Sequence, residues 1–226
     1  MRAGSLERME GFPHKGDVYR GALVTAFARI SVGPGWRCAD VGCGTGESTM
    51  ALAALVGASG RVYAVDHAAT ACEVVAMSAV EVGTSQVVAL VQAAEDLALP
   101  ESVDLAFCRF LLMHVVEPLG VLRRMAAATR PGGYVIAQEA ITTAGRVGGV
   151  PISMPDARQP DIGALLPRLA VECGCTLVAA WAEAPADAGP GPVASYLEEL
   201  SGVDPGDDPI VLPVLVTVIA RKRTPS

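Results

Sequence analysis

The chain has 226 residues, enough for one domain of ordinary size with a substantial buried core. Its 24 Asp and Glu outnumber 17 Lys and Arg for a net charge of −7, which disfavours a nucleic-acid partner; the one dense basic cluster, Arg221-Lys222-Arg223, reads as a solvated tail. Aromatic residues make up only 4% of the chain, so the core must be packed largely with aliphatic side chains.

In chain order, residues 17–30 carry apolar side chains at helical spacing (Val18, Ala22, Leu23, Ala26, Phe27, Ile30). They predict a helix ahead of the first strand, packed over the ligand-binding end. From there strand and helix alternate. Strands are predicted at 36–41, 61–65, 86–91, 103–108 and 134–139, with helices at 47–56, 68–82 and 117–129 between them. That alternation is the mark of an α/β chain with a parallel sheet covered on both faces. A helix over 161–173, interrupted at Pro167, precedes strands at 175–181 and 214–220. Residues 142–160 and 183–209 are rich in Pro, Gly or Ala and read as long loops, the second holding a short helix at 193–200; loops of this length are binding lids or disordered.

The six cysteines (Cys38, Cys43, Cys72, Cys108, Cys173, Cys175) sit mostly in apolar patterns and none has the paired C-x-x-C spacing of a zinc site. They predict reduced thiols and no metal. The first residues lack an apolar core of signal-peptide length, and no apolar run reaches the roughly 18 residues of a spanning helix. The expectation is a cytoplasmic protein with no membrane partner.

The segment with most chemical content is Asp40-Val41-Gly42-Cys43-Gly44-Thr45-Gly46, three glycines at alternate positions between the first strand and its helix. Glycine lets a turn take positive φ and lets a ligand lie against the backbone, and the first N–H groups of the following helix face the same side. An acid that ends the next strand, here Asp66, accepts hydrogen bonds from the hydroxyls of a ribose. The combination reads as a nucleotide cradle, and the Gly42-x-Gly44-x-Gly46 spacing differs from the G-x-G-x-x-G of dinucleotide dehydrogenases.

With Val32-Gly33-Pro34-Gly35 as the turn into the first strand, Ala94-Glu95-Asp96-Leu97, Val103 to Arg109 and Arg130-Pro131-Gly132-Gly133, the chain from about residue 33 to 221 resembles the class I S-adenosylmethionine-dependent methyltransferases of small-molecule type. The resemblance implies a single Rossmann-like doubly wound sheet, mostly parallel, whose antiparallel last strand lies between its two predecessors. It also implies one domain over 1–226, with 1–31 as a helical cover and 32–226 as the cofactor-binding core.

The resemblance further implies S-adenosylmethionine as cofactor. Backbone around Gly42, Cys43 and Gly44 would hold its methionine moiety, with Asp40 near the ammonium. Asp66 would take the ribose, or else cap the helix that starts near Ala68. His67 would lie against the adenine, and Ala94 and Glu95 would meet its edge, unless they form a plain acidic turn; Ala93 stands where the family often has Asp. Arg109, after the fourth strand, faces the cofactor carboxylate, the acceptor or solvent, and the Asn/Asp-Pro-Pro-aromatic run of enzymes for planar nitrogens is missing there. Tyr19 and His14 would close over the site, Tyr19 being equally suited to anchor an amphipathic helix.

His114 is the candidate catalytic base for a hydroxyl acceptor, against the alternative of a histidine packed on a helix around 112–116. Glu139 is read as a strand end that binds substrate or solvent. The predicted reaction is methyl transfer to a small, apolar molecule. Competing readings are an enzyme of the same fold that keeps the cofactor but catalyses a cyclisation or rearrangement, a nicotinamide dehydrogenase, and a non-catalytic binding module.

Overall fold

The computed structural model describes residues 13–152 and 157–224. The elements are α1 (Pro13–Arg29), β1 (Arg37–Val41), α2 (Glu47–Val56), β2 (Arg61–Asp66), α3 (Ala69–Glu81), β3 (Val87–Val91), β4 (Val103–Arg109), α4 (Pro118–Ala128) and β5 (Thr129–Ile141). There follow β6 (Arg146–Val147), β7 (Val150–Pro151), α5 (Ile162–Glu172), β8 (Cys175–Glu183), β9 (Ala186–Ala188), α6 (Pro192–Ser201), β10 (Pro209–Val211) and β11 (Val214–Lys222).

Seven strands form one sheet in the order β3-β2-β1-β4-β5-β11-β8. The first five are parallel, and β11 runs antiparallel to both β5 and β8 between them. This is the expected mixed sheet. Because β2 lies on one side of β1 and β4 on the other, the chain reverses its winding between them, and a crevice opens beyond the carboxyl ends of β1 and β4.

Strand residues alternate between the two faces. Ala39, Val41, Ala106 and Cys108 pack toward the core shared with α4 and α5 (Leu122, Met125, Leu166), whereas Cys38, Leu105 and Phe107 pack with Leu23 and Phe27 of α1 and Leu52 of α2. Both faces being buried, these strands are apolar on both sides, which is why they read as continuous apolar runs. α1 is also tied through polar atoms: buried Gln138 of β5 donates from Nε2 to the carbonyl of Ala22 and to Thr217 Oγ1 of β11, each at 3.0 Å.

Two expectations are corrected here. The helix α5 runs through Pro167, which removes only the one N–H bond that would reach back to Gly163 in the first turn. Gly163 in turn seats α5 on β5, since a Cβ there would stand 2.6 Å from the carbonyl of Glu139. The stretches read as long loops instead build a second, four-stranded antiparallel sheet, β7-β6-β10-β9, and α6 is the short helix expected within the second of them. Tyr19 and Ala22 of α1, Tyr196 and Leu197 of α6, and Ile210 and Leu212 pack as one cluster, so α1, α6 and this small sheet form a common cover. Among the described residues no helix is long and apolar enough to cross a membrane, and no group of three or more His, Cys, Asp or Glu side chains is placed to hold a metal ion.

Candidate functional site

The five parallel strands bring the turns after β1, β2, β3, β4 and β5 to one edge. The turn after β1 is the centre. Gly42, Gly44 and Gly46 all have positive φ (74°, 52° and 88°), yet they are glycine for different reasons. A Cβ on Gly42 would meet Leu111 Cδ1 at 2.9 Å and one on Gly46 would meet Val75 Cγ2 at 2.8 Å, so both are required by packing from behind. A Cβ on Gly44 would meet nothing within 4 Å. Gly44 therefore presents Cβ-free backbone to open space, where a ligand can approach closely.

The backbone N–H groups of Gly42, Cys43 and Gly44 are spent inside the protein. Those of Gly42 and Cys43 donate to the carbonyl of Val65 at 2.7 and 3.0 Å, and that of Gly44 donates to Asp66 Oδ2 at 3.0 Å. Asp66 is the link between the first two turns, because its Oδ1 accepts the N–H of Ala68 at 3.0 Å while Oδ2 holds Gly44. The same residue thus supports the next helix and faces the cradle. His67 beside it is exposed, its Nδ1 3.2 Å from Asp66 Oδ1.

Asp40 is buried under the turn. Its Oδ2 accepts the hydroxyls of Ser48 and Thr49 at 2.7 and 2.6 Å and so anchors the first turn of α2 to β1. The Cys43 side chain is buried, and burial, then Asp40 and Asp66, push its thiol well above the ordinary range, which keeps it protonated. Beyond β3, Ala94–Asp96 form a single 3₁₀ turn with Ala94 buried and Glu95 exposed; the N–H of Gln92 donates to the carbonyl of Asp66 at 2.8 Å, which holds this turn to the same edge.

The turn after β4 carries the charge. Arg109 has a side chain only 5% exposed and pairs through Nη2 with Oε2 of Glu47, the first residue of α2. Since Val41 and Cys108 are register partners, this pair lies directly beside the glycine turn. Arg109 Nη1 and Glu47 Oε1 are both buried and have no hydrogen-bond partner. Phe110 follows with φ of 53°, uncommon for an aromatic residue, and its ring meets Tyr19 edge-on at 5.3 Å; Tyr196 meets Tyr19 at 5.7 Å on another side. Tyr19 donates its hydroxyl to the carbonyl of Pro213 at 3.3 Å, and burial, with Tyr196 and Glu183 adding to it against Arg109, raises its pKa far above the ordinary value. Tyr19 is therefore a protonated phenol that anchors the cover.

Glu139 is corrected. The strand β5 continues past it to Ile141, and the carboxylate is fully buried, accepting the N–H groups of Leu111 and Leu112 through Oε1 at 2.8 and 2.7 Å and that of Met113 through Oε2 at 3.4 Å. It shapes the turn after β4, a structural task in place of substrate binding. That turn contains His114, which is exposed between buried Met113 and Val115; the helix expected around it does not form. The side chain of His14 lies outside the described residues. Sequence reading missed Glu47, Tyr196 and Glu183, whose Oε1 is also buried without a partner. A Glu opening a helix is ordinary chemistry for a helix N-terminus, and nothing local links it to Arg109, 62 positions away.

Comparison with known proteins agrees with this geometry. Residues 39–137, which hold the turns after β1, β2, β3 and β4, match the family described as a methyltransferase domain. The ubiquinone biosynthesis O-methyltransferase of Xanthomonas campestris pv. campestris (strain B100) is 39% identical over 108 residues, 47% of this chain and 43% of that protein. The demethylmenaquinone methyltransferase of Anoxybacillus flavithermus is 34% identical over 112 residues, 49% of this chain and 47% of that protein. The chain thus spans less than half the length of these curated relatives. A crystal structure of a SAM-dependent methyltransferase from Aquifex aeolicus superposes with a TM-score of 0.67 over 98% of this chain and 99% of that one at 16% identity, a shared fold. Residues 39–137 thus match a methyltransferase domain, and the sheet order belongs to a fold that the chain shares with a solved S-adenosylmethionine-dependent methyltransferase.

Proposed function

We propose that this protein transfers a methyl group from S-adenosylmethionine to a small, apolar acceptor of quinone type. The observation that carries the cofactor is the pair of unpartnered buried atoms beside the glycine turn, Arg109 Nη1 and Glu47 Oε1. Each such atom costs about 1–3 kcal/mol if nothing meets it. One is a cationic donor and the other an anionic acceptor, and an α-amino acid end supplies a carboxylate for the first and an ammonium for the second. Asp66, His67 and the turn at Ala94 and Glu95 follow along the same edge, in the order in which ribose and adenine continue from that end.

When bound, the cofactor supplies a methyl group on a positively charged sulfur, ready for in-line displacement. The chain supplies position. The Arg109–Glu47 pair fixes one end, the Cβ-free face of Gly44 admits the ligand to the backbone, and the cover of α1, α6 and the small sheet closes the crevice from water. For a hydroxyl acceptor, His114 in the turn beyond Arg109 would take the proton. In this reading 32–226 is the catalytic core and 1–31 part of the cover, within one domain.

The quinone-type acceptor is supported by the names of the relatives, ubiquinone biosynthesis O-methyltransferase and demethylmenaquinone methyltransferase. The test is incubation of the protein with S-adenosylmethionine and a panel of prenylated hydroxyquinols, followed by mass spectrometry. The expected product is heavier by about 14 Da per turnover, one methylene, with one S-adenosylhomocysteine released for each. A product of unchanged mass with no cofactor consumed would overturn methyl transfer in favour of a rearrangement.

A further inference from the structure

The six cysteines are chemically unequal. Cys38, Cys43, Cys72 and Cys108 are buried, and burial is the main cause that pushes each thiol up. Cys173 and Cys175 stand at the other edge of the sheet from the cradle, where Gly174, with φ of 92°, turns the chain from the end of α5 into β8. Cys173 is half-buried and open to solvent, and Cys175 is buried behind it.

The two cysteines are two positions apart on either side of this turn, and the Cys173 thiol donates to the carbonyl of Ala170 at 3.1 Å. Arg123 of α4 and Lys222 and Arg223 at the end of β11 contribute positive charge around the pair. The nearest acid along the chain, Glu172, is held by Arg168 at 2.6 Å. The Cys175 side chain, with Arg123 adding to it against burial, holds the Cys173 thiol below the ordinary range, while Cys175 is pushed up.

We propose that Cys173-Gly174-Cys175 is a redox-active dithiol, with Cys173 as the attacking thiol and Cys175 as the resolving one, oxidised by hydrogen peroxide to an intramolecular disulfide. The Cys173 thiolate attacks one peroxide oxygen, the O–O bond breaks, and a sulfenic acid and a hydroxide remain; the hydroxide takes up a proton to become water. The Cys175 sulfur then attacks the Cys173 sulfur, the S–O bond breaks, and the departing hydroxide leaves as water with the thiol proton. Two thiols have lost two electrons and one peroxide has become two waters. This inference is independent of the methyltransferase reading, since the pair is outside the cradle.

The test treats the full chain, reduced and freed of reductant, with stoichiometric hydrogen peroxide and reads intact mass and peptides. The expected result is a loss of about 2 Da, two hydrogens, with a 173–175 link. Cys175→Ser should stop at a sulfenic acid trapped on residue 173, and Cys173→Ser should lose no mass. In the untreated protein, iodoacetamide should modify Cys173 at least about tenfold faster than any other cysteine, its rate levelling off at lower pH than that of free cysteine because the thiolate forms earlier. Oxidation at any other cysteine first, or the same mass loss in Cys173→Ser, would overturn the proposal.

Discussion

Gly44 and Gly46 show how one residue type serves two purposes in a single turn. Both have positive φ, so alanine at either carries a backbone cost of roughly 1–2 kcal/mol. Only at Gly46 does the added methyl also meet a packed side chain, Val75, at 2.8 Å. Gly46→Ala should therefore lower unfolding stability by about 1–3 kcal/mol more than Gly44→Ala in urea titration, overpacking being added to strain. Gly44→Ala, whose methyl points into open space, should instead weaken S-adenosylhomocysteine binding by about tenfold or more. Equal stability losses with unchanged binding would mean that Gly44 faces no ligand. The glycine pattern was legible in the sequence as a turn, but which glycines packing requires and which one faces open space was not, because Leu111 and Val75 lie far along the chain. The Arg109–Glu47 pair was illegible for the same reason.

Among the elements, the strands were the most legible. Runs such as Arg61–Asp66 and Val103–Arg109 are apolar on alternate faces that are both buried, and their length separates them from helices. The small sheet was not legible, because β6 and β7 have two residues each and β9 and β10 three, too few for any periodicity; its two halves are joined by pairing across 63 positions, Ile210 with Val147. Pro167 misled for a different reason: it signals a break only where the lost hydrogen bond matters, and α5 is seated by close packing on β5. That seating is testable. A Cβ at position 163 would stand 2.6 to 2.9 Å from backbone of Glu139 and Ala140, atoms that cannot swing aside. Gly163→Ala should cost about 3 kcal/mol or more in thermal or denaturant unfolding, and a loss below about 1 kcal/mol would show that α5 shifts freely on the sheet.

For the whole molecule, the sheet order gathers five turns at one edge and the cover of α1, α6 and the small sheet faces that edge. The central claim is that this edge is built for an adenosyl ligand with an amino acid end. Titration calorimetry of the full chain with S-adenosylhomocysteine, 5′-methylthioadenosine and NAD tests it in one measurement. S-adenosylhomocysteine should bind at least about tenfold more tightly than 5′-methylthioadenosine, a difference of about 1.4 kcal/mol or more drawn from Arg109 and Glu47, and NAD should bind more weakly than either. Tight binding of NAD alone, or equal binding of the first two, would contradict that claim.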